Sequence, residues 1–311
     1  MRTQLRRYVW GSDGLPLREQ PARIARGVSD PSFDGLDNLR RIDRLTIKID
    51  LGFESTAYHL IPRRSNGRLL LYHNGHGQNL DAGKRTAAYF LLRGYSVLVL
   101  AMPIAGMNRH PPVVMTPCGP IELPGLDNPY GLHEGFSCLP HPLRFFLEPV
   151  VVSLNYARRS HYRSTAMVGL SGGGWTTVVS AALDPRIRQS YPVAGSFPKL
   201  VHADLCSRSP DPMCHGDFEQ RDPALDRIAN YLQLYALGSW GTGRRQLAIY
   251  NIYDPCCFSG TSYEVWKHHV QRAVRRLRSG SYNALGDATH REHKISERAL
   301  AVIAGDLERG P

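Results

Sequence analysis

The first candidate for a catalytic residue is a serine within a glycine-rich segment. The stretch "AMVGLSGGGW" places Ser171 between an apolar run and three consecutive glycines. Gly169 and Gly173 lie two positions on either side of it, where a buried strand is expected to meet a helix. Such a junction needs a tight turn that larger side chains would obstruct, and it raises the serine hydroxyl above the sheet. The spacing therefore predicts a nucleophile; a serine that only caps the helix is the alternative.

An activated serine needs a base and an acid that orients the base. "AIYNIYDPCCF" supplies Asp254 where a predicted strand ends, and "LGDATHREHKIS" supplies His290 and His293 between the last strand and the last helix. We favour His290 as the base because it follows the strand after a short loop, and we keep His293, closer to the last helix, as the alternative.

The acid also has rivals in the sequence. Asp217 and Glu219 lie in an irregular segment before the strand that ends at Asp254, and either carboxylate could replace it. Asp254 is preferred because Pro255 fixes the turn that aims its carboxylate along the edge of the sheet. Asp287 is interpreted as a turn residue.

Strands and helices alternate along most of the chain, which predicts an α/β domain with a mostly parallel sheet. Residues 1–44 are Arg-rich and broken by Gly and Pro, and we expect an extension packed on a single domain spanning 45–311. Two irregular insertions, at about 104–142 and 196–221, interrupt that domain. We expect the first to lie over the site as a lid and to supply pocket walls.

The segment Gly169-Leu170-Ser171-Gly172-Gly173 resembles the nucleophile elbow of the α/β-hydrolases, and the chain resembles that superfamily over roughly residues 45–308. The resemblance implies a central, mostly parallel, twisted sheet flanked by helices, with the triad in the order serine, acid, histidine.

The resemblance also implies an oxyanion hole, built from backbone N–H groups. One donor would be Gly172, which follows the nucleophile, and the other would come from "HNGHG", residues 73–77. That segment resembles the family's His-Gly-Gly-Gly stretch but carries Asn74 and His76 in place of two glycines. Gly75 and His76 are the candidates for the second donor.

The activity that this resemblance implies is serine-dependent hydrolysis of a carboxylic ester of a small molecule through an acyl-enzyme, as in a carboxylesterase of class EC 3.1.1. Thioester cleavage, acyl transfer and peptide-like amide cleavage use the same groups and stay open, because a fold does not fix a substrate. A catalytically silent binding protein on the same fold is a further alternative.

The composition limits the other classes of function. The 311 residues, 42% of them hydrophobic, suffice for one large domain, and no segment is long and apolar enough for a membrane span. The net charge of +11 invites a nucleic-acid partner, but the arginines are scattered, and the group at positions 272–278 is expected on a solvated helix face. We predict neither a nucleic-acid nor a membrane partner.

No cofactor is expected. Gly172 to Gly174 lack both the Lys-Ser/Thr continuation of a phosphate-binding loop and the spaced third glycine of a dinucleotide site. His73 and His76 are not expected to bind a metal, because no acidic residue or third histidine stands near them in the sequence.

Six cysteines are few for a disulfide scaffold, so reduced thiols and a cytoplasmic location are the expectation, and no signal peptide is apparent. Cys118 with Cys138, and Cys206 with Cys214, are the pairs that could form bridges.

Overall fold

The computed structural model describes residues 1–77, 79–123, 133–206 (203–206 through their backbone) and 216–310. The strands are β1 (Arg23–Arg26), β2 (Leu39–Lys48), β3 (Glu54–Pro62), β4 (Arg68–His73), β5 (Ser96–Leu100), β6 (Val113–Thr116), β7 (Gly119–Glu122), β8 (Ser164–Leu170), β9 (Gln189–Val193), β10 (Arg245–Asn251) and β11 (Ser281–Asp287). The helices are α1 (Arg2–Trp10), α2 (Asp81–Leu92), α3 (Arg144–Ala157), α4 (Gly172–Leu183), α5 (Lys199–Cys206), α6 (Phe218–Arg221), α7 (Pro223–Ile228), α8 (Tyr231–Ser239), α9 (Tyr263–Arg276) and α10 (Glu297–Glu308). Short 3-10 turns lie at Pro31–Phe33, Glu134–Cys138 and Arg158–Ser160.

Nine strands form one sheet in the order β1-β2-β3-β5-β4-β8-β9-β10-β11. The six strands from β5 to β11 in this order run parallel, whereas β1, β2 and β3 form an antiparallel margin. Apolar side chains that are almost fully buried fill β4, β5 and β8, as expected for strands covered by helices on both faces. The predicted mostly parallel sheet is confirmed, and the carboxyl ends of β4, β8, β10 and β11 lie at one edge.

Two local features go beyond the plain alternation of strands and helices. Strand β1 pairs with β2, and β2 begins at Leu39, so part of the segment 1–44 belongs to the sheet. The segment 223–239 forms two helices, α7 and α8, because Ala229 is extended and Asn230 forms a capping box with Gln233. The capping side chain satisfies backbone donors of a new helix, which favours a fresh start over continuation.

Helix α4, which follows Ser171, is held at its far end by three arginines. The guanidinium groups of Arg2, Arg6 and Arg244 donate to the carbonyl oxygens of residues 182, 183 and 181, at 2.8, 2.8 and 2.5 Å. The last carbonyls of a helix have no partner inside it and carry partial negative charge, so cations there stabilise the helix. Arg2, Arg6 and Arg244 therefore have a structural role, while the arginines near the end of α9 are exposed.

The expectation of reduced thiols is wrong for the four cysteines whose side chains are described. Cys118 and Cys138 form the anticipated bridge, which closes the first insertion around the β6–β7 hairpin, and the adjacent Cys256 and Cys257 are bonded to each other. The pair Cys206–Cys214 lies outside the residues whose side chains are described. Disulfides are typical of oxidising compartments, which weighs against the cytoplasmic expectation.

None of the helices in the described ranges combines the length and the apolar character that crossing a membrane requires.

The two disulfides differ in the loop that they close, and this difference predicts a difference in stability. The Cys118–Cys138 bond spans a sequence separation of 20 residues, so Cys118→Ser/Cys138→Ser should lower the free energy of unfolding by about 3 kcal/mol through the entropy of the unfolded chain. The Cys256–Cys257 bond joins adjacent residues and closes almost no loop. Cys256→Ser/Cys257→Ser should therefore lower the free energy of unfolding by well under half as much. Urea unfolding of oxidised protein measures both; equal losses would contradict the prediction.

Candidate active site

Ser171 occupies a strained turn between β8 and α4, where the sequence placed it. Its φ of 59° and ψ of −126° lie in a region of backbone conformation that residues other than glycine rarely adopt. A Cβ atom at Gly169 would stand 2.1 Å from the carbonyl oxygen of Gly173. The amide of Ser171 donates to the carbonyl of Val193 at the end of β9, and its carbonyl accepts from Trp175 in α4. The turn is thus fixed from both sides, with the hydroxyl at the sheet edge.

Backbone contacts with the neighbouring strands press this turn into place. A Cβ at Gly173 would lie 2.0 Å from the carbonyl oxygen of His73, the last residue of β4, and one at Gly174 would lie 2.8 Å from the Cα of Gly195, just after β9. Backbone atoms cannot move aside as flexible side chains can, so glycine is required at positions 173 and 174 by the approach of the chain itself.

Asp254 and His293 meet at the same sheet edge. The Nδ1 atom of His293 lies 2.6 Å from Oδ2 of Asp254, whose Oδ1 accepts from the amide of Cys256 at 2.9 Å. Asn251, the last residue of β10, donates from one side-chain amide to Oδ2 of Asp254 and to the carbonyl of Lys294. Burial alone raises the pKa of Asp254, but the hydrogen bonds from His293 and the other donors hold it below its usual value, so the carboxyl is ionised at neutral pH.

The structure does not bring His290, the preferred base, to Asp254. Its Nε2 lies 3.6 Å from Oδ2 of Asp287, and its Nδ1 accepts from the amide of Glu292. Asp287 organises this turn by accepting from the amide and hydroxyl of Thr289 and from the hydroxyl of Ser296. The ring of His290 therefore contacts residues of its own loop.

His293 has the position that the sequence analysis had given to His290. Helix α10 begins at Glu297 after the cap Ser296, so His293 lies in the loop with room to turn towards β10. Its Nε2 is buried and has no hydrogen-bond partner among the described residues. Nδ1 thus contacts a carboxylate, and Nε2 is left without a hydrogen-bond partner among these residues.

A cavity of about 620 Å³ contains both His293 and Ser171 in its lining. Its other walls come from the loop after β4, the start of α2, the loop after β10 and the second insertion: Asn74 to Gly77, Asn79, Asp81, Ala82, Arg85, Leu170, Gly216, Asp217, Gln220, Cys256, Cys257 and Phe258. The first insertion, expected to form pocket walls, contributes none of its described residues. Its Asn108 is instead buried against backbone groups, including the carbonyls of Ala101 and Met102.

The loop after β4 lies against Ser171. A Cβ at Gly75 would stand 2.9 Å from Cβ of Ser171 and 3.3 Å from the amide nitrogen of Gly172. Gly172 is the first residue of α4, so its N–H has no partner within the helix and carries the positive end of the helix dipole. Gly75 and Gly172 therefore lie directly beside Ser171.

The side chain of His76 joins a cluster that the sequence analysis missed. Its Nε2 lies 3.0 Å from Glu219, and Nδ1 of His133 lies 3.1 Å from the other oxygen of the same carboxylate. Asp217 approaches both rings, at 3.7 and 3.3 Å. These two carboxylates, candidates for the catalytic acid from the sequence, are thus bound to other histidines than His293. Acidic partners for His76 do exist, but Asp217 and Glu219 are 141 and 143 residues away in the chain, and the other histidine, His133, is 57 residues away.

Charge compensation within the cluster is strong. Burial alone lowers the pKa of His133, but Glu219 and Asp217 raise it to about 10. Burial alone raises the pKa of Glu219, but the two imidazoles hold it well below its usual range. The Glu219 carboxylate therefore stays ionised and needs positive charge beside it.

No family model and no curated protein matches the sequence. The fold, however, is similar to those of solved esterases. An acetyl xylan esterase from Paenibacillus sp. R4 aligns with a TM-score of 0.63 at 13% identity, covering 95% of this chain and 91% of that one. Acetyl xylan esterase 1 from Thermoanaerobacterium sp. gives 0.58 at 14%, covering 98% and 96%, and an esterase from Pyrococcus furiosus gives 0.58 at 12%, covering 94% and 97%.

The close contacts of the glycines at the serine turn predict that one added methyl group lowers the stability of the fold strongly. Gly173→Ala should destabilise the fold by about 3 kcal/mol or more, because the new Cβ meets the carbonyl of His73. Gly305→Ala in α10 is the matched control: its Cβ meets nothing within 4 Å, so helix propensity alone should stabilise the chain by about 0.5–1 kcal/mol. Urea unfolding of both variants measures the difference, and similar stabilities would refute the tight packing of the turn.

Proposed function

On the α/β-hydrolase fold that the chain shares with these esterases, we propose that it is a serine hydrolase that cleaves a carboxylic ester of a small molecule. Ser171 is the nucleophile, His293 the base and Asp254 the acid. The observation that supports this most strongly is the Asp254–His293 pair, because His293 lines the same cavity as the strained serine and its Nε2 has no hydrogen-bond partner among the described residues. His293 replaces His290 as the base in this proposal.

The reaction follows from the roles of these groups. Nε2 of His293 takes the proton of the Ser171 hydroxyl as Oγ attacks the ester carbonyl, and Asp254 stabilises the imidazolium. The amide of Gly172 and that of Gly75 or His76 hold the oxyanion, each donor being worth about 3–4 kcal/mol of transition-state stabilisation. The imidazolium then protonates the leaving alcohol, and water cleaves the acyl-enzyme with His293 again as base.

The cavity supports a small substrate. About 620 Å³ suits a ligand of modest size, and its lining combines apolar groups such as Leu170 and Phe258 with charged groups such as Asp81 and Arg85. Acetyl xylan esterases among the similar folds make a short acyl group the first to test. We propose acetyl esters of a polar alcohol, with thioesters, amides and acyl transfer as alternatives on the same residues.

The assignment of the base is tested by a pair of histidine variants. His293→Ala should lower kcat for nitrophenyl acetate by about 10⁴-fold or more, because the serine loses its proton acceptor. His290→Ala should stay within a few fold of wild type, since that ring contacts its own loop. If His290→Ala were inactive and His293→Ala kept its activity, His290 would be the base instead.

The nucleophile is tested by labelling with a fluorophosphonate probe. Wild type should be labelled and should hydrolyse short-chain nitrophenyl esters, and Ser171→Ala should lose both properties while keeping its melting temperature. Folded wild type that takes up no probe would instead indicate a catalytically silent binding protein. Tight binding to DNA or RNA with a steep dependence on salt would favour the nucleic-acid alternative.

A further inference from the structure

We propose that His76, His133, Asp217 and Glu219 form a binding site for a divalent metal ion, zinc by its ligand types, beside the serine and distinct from the triad. One nitrogen or oxygen of each side chain lies within 4.8 Å of all the others. Two imidazoles and two carboxylates are a ligand set that suits zinc. This inference goes beyond the proposed hydrolase activity and does not depend on it.

The spacing of the ligand atoms fits a tetrahedral ion. The four distances between an imidazole nitrogen and a carboxylate oxygen in the cluster are 3.0, 3.1, 3.3 and 3.7 Å. An ion with bonds of about 2.0 Å to each of four tetrahedral ligands separates the ligand atoms by about 3.3 Å. The four distances lie near this value and the other pairs of ligand atoms lie within 4.8 Å, so small side-chain adjustments would bring all four ligands to one ion.

Groups around the cluster hold the ligands in the orientation that a metal needs. Nε2 of His133 faces the carbonyl oxygen of Pro103 at 3.0 Å, so in the neutral ring this nitrogen carries the proton and Nδ1 is free to bind. Oδ1 of Asp217 accepts from the amide of Phe218 at 2.8 Å, which leaves Oδ2 turned to the two rings. Backbone partners of this kind commonly fix the ligands of metal sites.

Burial and charge also favour an ion. The side chains of His133 and Glu219 are fully buried and that of Asp217 is 2% exposed, unlike the solvated acidic groups found on most protein surfaces. With neutral imidazoles the four groups carry two negative charges, which one divalent cation balances. His76 and Asp217 also line the 620 Å³ cavity, which gives the ion a path from solvent.

The site would connect separate parts of the chain at the reaction centre. His76 comes from the loop after β4, His133 from the first insertion, and Asp217 and Glu219 from the second. The His76 ring covers Gly172, since a Cβ there would lie 2.6 Å from its Cε1. A bound ion would fix both insertions and the amide donors of the oxyanion hole in one arrangement.

Zinc binding by the full chain tests the proposal without an activity assay. Protein treated with a chelator and dialysed against micromolar zinc chloride should retain about one equivalent, and cobalt(II) should give the visible absorption of a tetrahedral complex. Glu219→Gln, which keeps the shape but removes the charge, should weaken binding by at least about tenfold. Retention of wild-type affinity by Glu219→Gln would overturn the proposal.

A second cluster requires a control. Cys256, Cys257 and His293 also lie near one another, and their sulfur atoms could bind zinc if the disulfide were reduced. His293→Ala should bind zinc as wild type does; loss of binding in this variant would place the ion at that other cluster and overturn the assignment.

Wild-type protein alone keeps the question decidable if Glu219→Gln fails to fold. Zinc should then raise the melting temperature of wild type in a saturable way that a chelator reverses. Folded wild type that neither retains zinc nor changes its melting temperature would show that protonated imidazoles alone balance the two carboxylates.

Discussion

The contact of glycine backbones around Ser171 is the constraint on which the site depends. The turn carries its serine at a φ of 59°, and such strain persists only where the surroundings leave no alternative. Here Gly169, Gly173 and Gly174 allow the turn to touch itself and the ends of β4 and β9 at distances that no side chain would permit. Rigid strands therefore fix the height of the hydroxyl at the sheet edge.

The partners of the serine depend on the parallel arrangement of β8, β10 and β11. Parallel pairing places the carboxyl ends of these strands at one edge, so the loops after them meet there although they are far apart in the chain. Asn251 links two of these loops by donating to Asp254 and to the carbonyl beside His293. Asp254 and the loop that carries His293 are thus held by the same amide group.

The sequence contained the local part of this arrangement. Spacing of Gly169, Ser171 and Gly173 defines the turn, and the alternation of strands and helices defines the sheet and the place of Asp254. The choice between His290 and His293 depends on the path of the short loop between β11 and α10. The two histidines are only three residues apart, and the sequence shows no pattern from which that path could be predicted. The hydrogen bonds of Asp287 with Thr289 and Ser296 set the path.

Contacts made by the two insertions were beyond prediction for another reason: irregular segments have no periodicity from which to infer their partners. Helix α4, by contrast, is a regular element that is contacted by a segment far away in the chain. It spans 12 residues, about 18 Å, and the arginines of α1 bind the end remote from Ser171. Helix α1 is therefore separated from Ser171 by the length of α4, so a label or an immobilising surface attached beside α1 would be held at that distance from the serine turn.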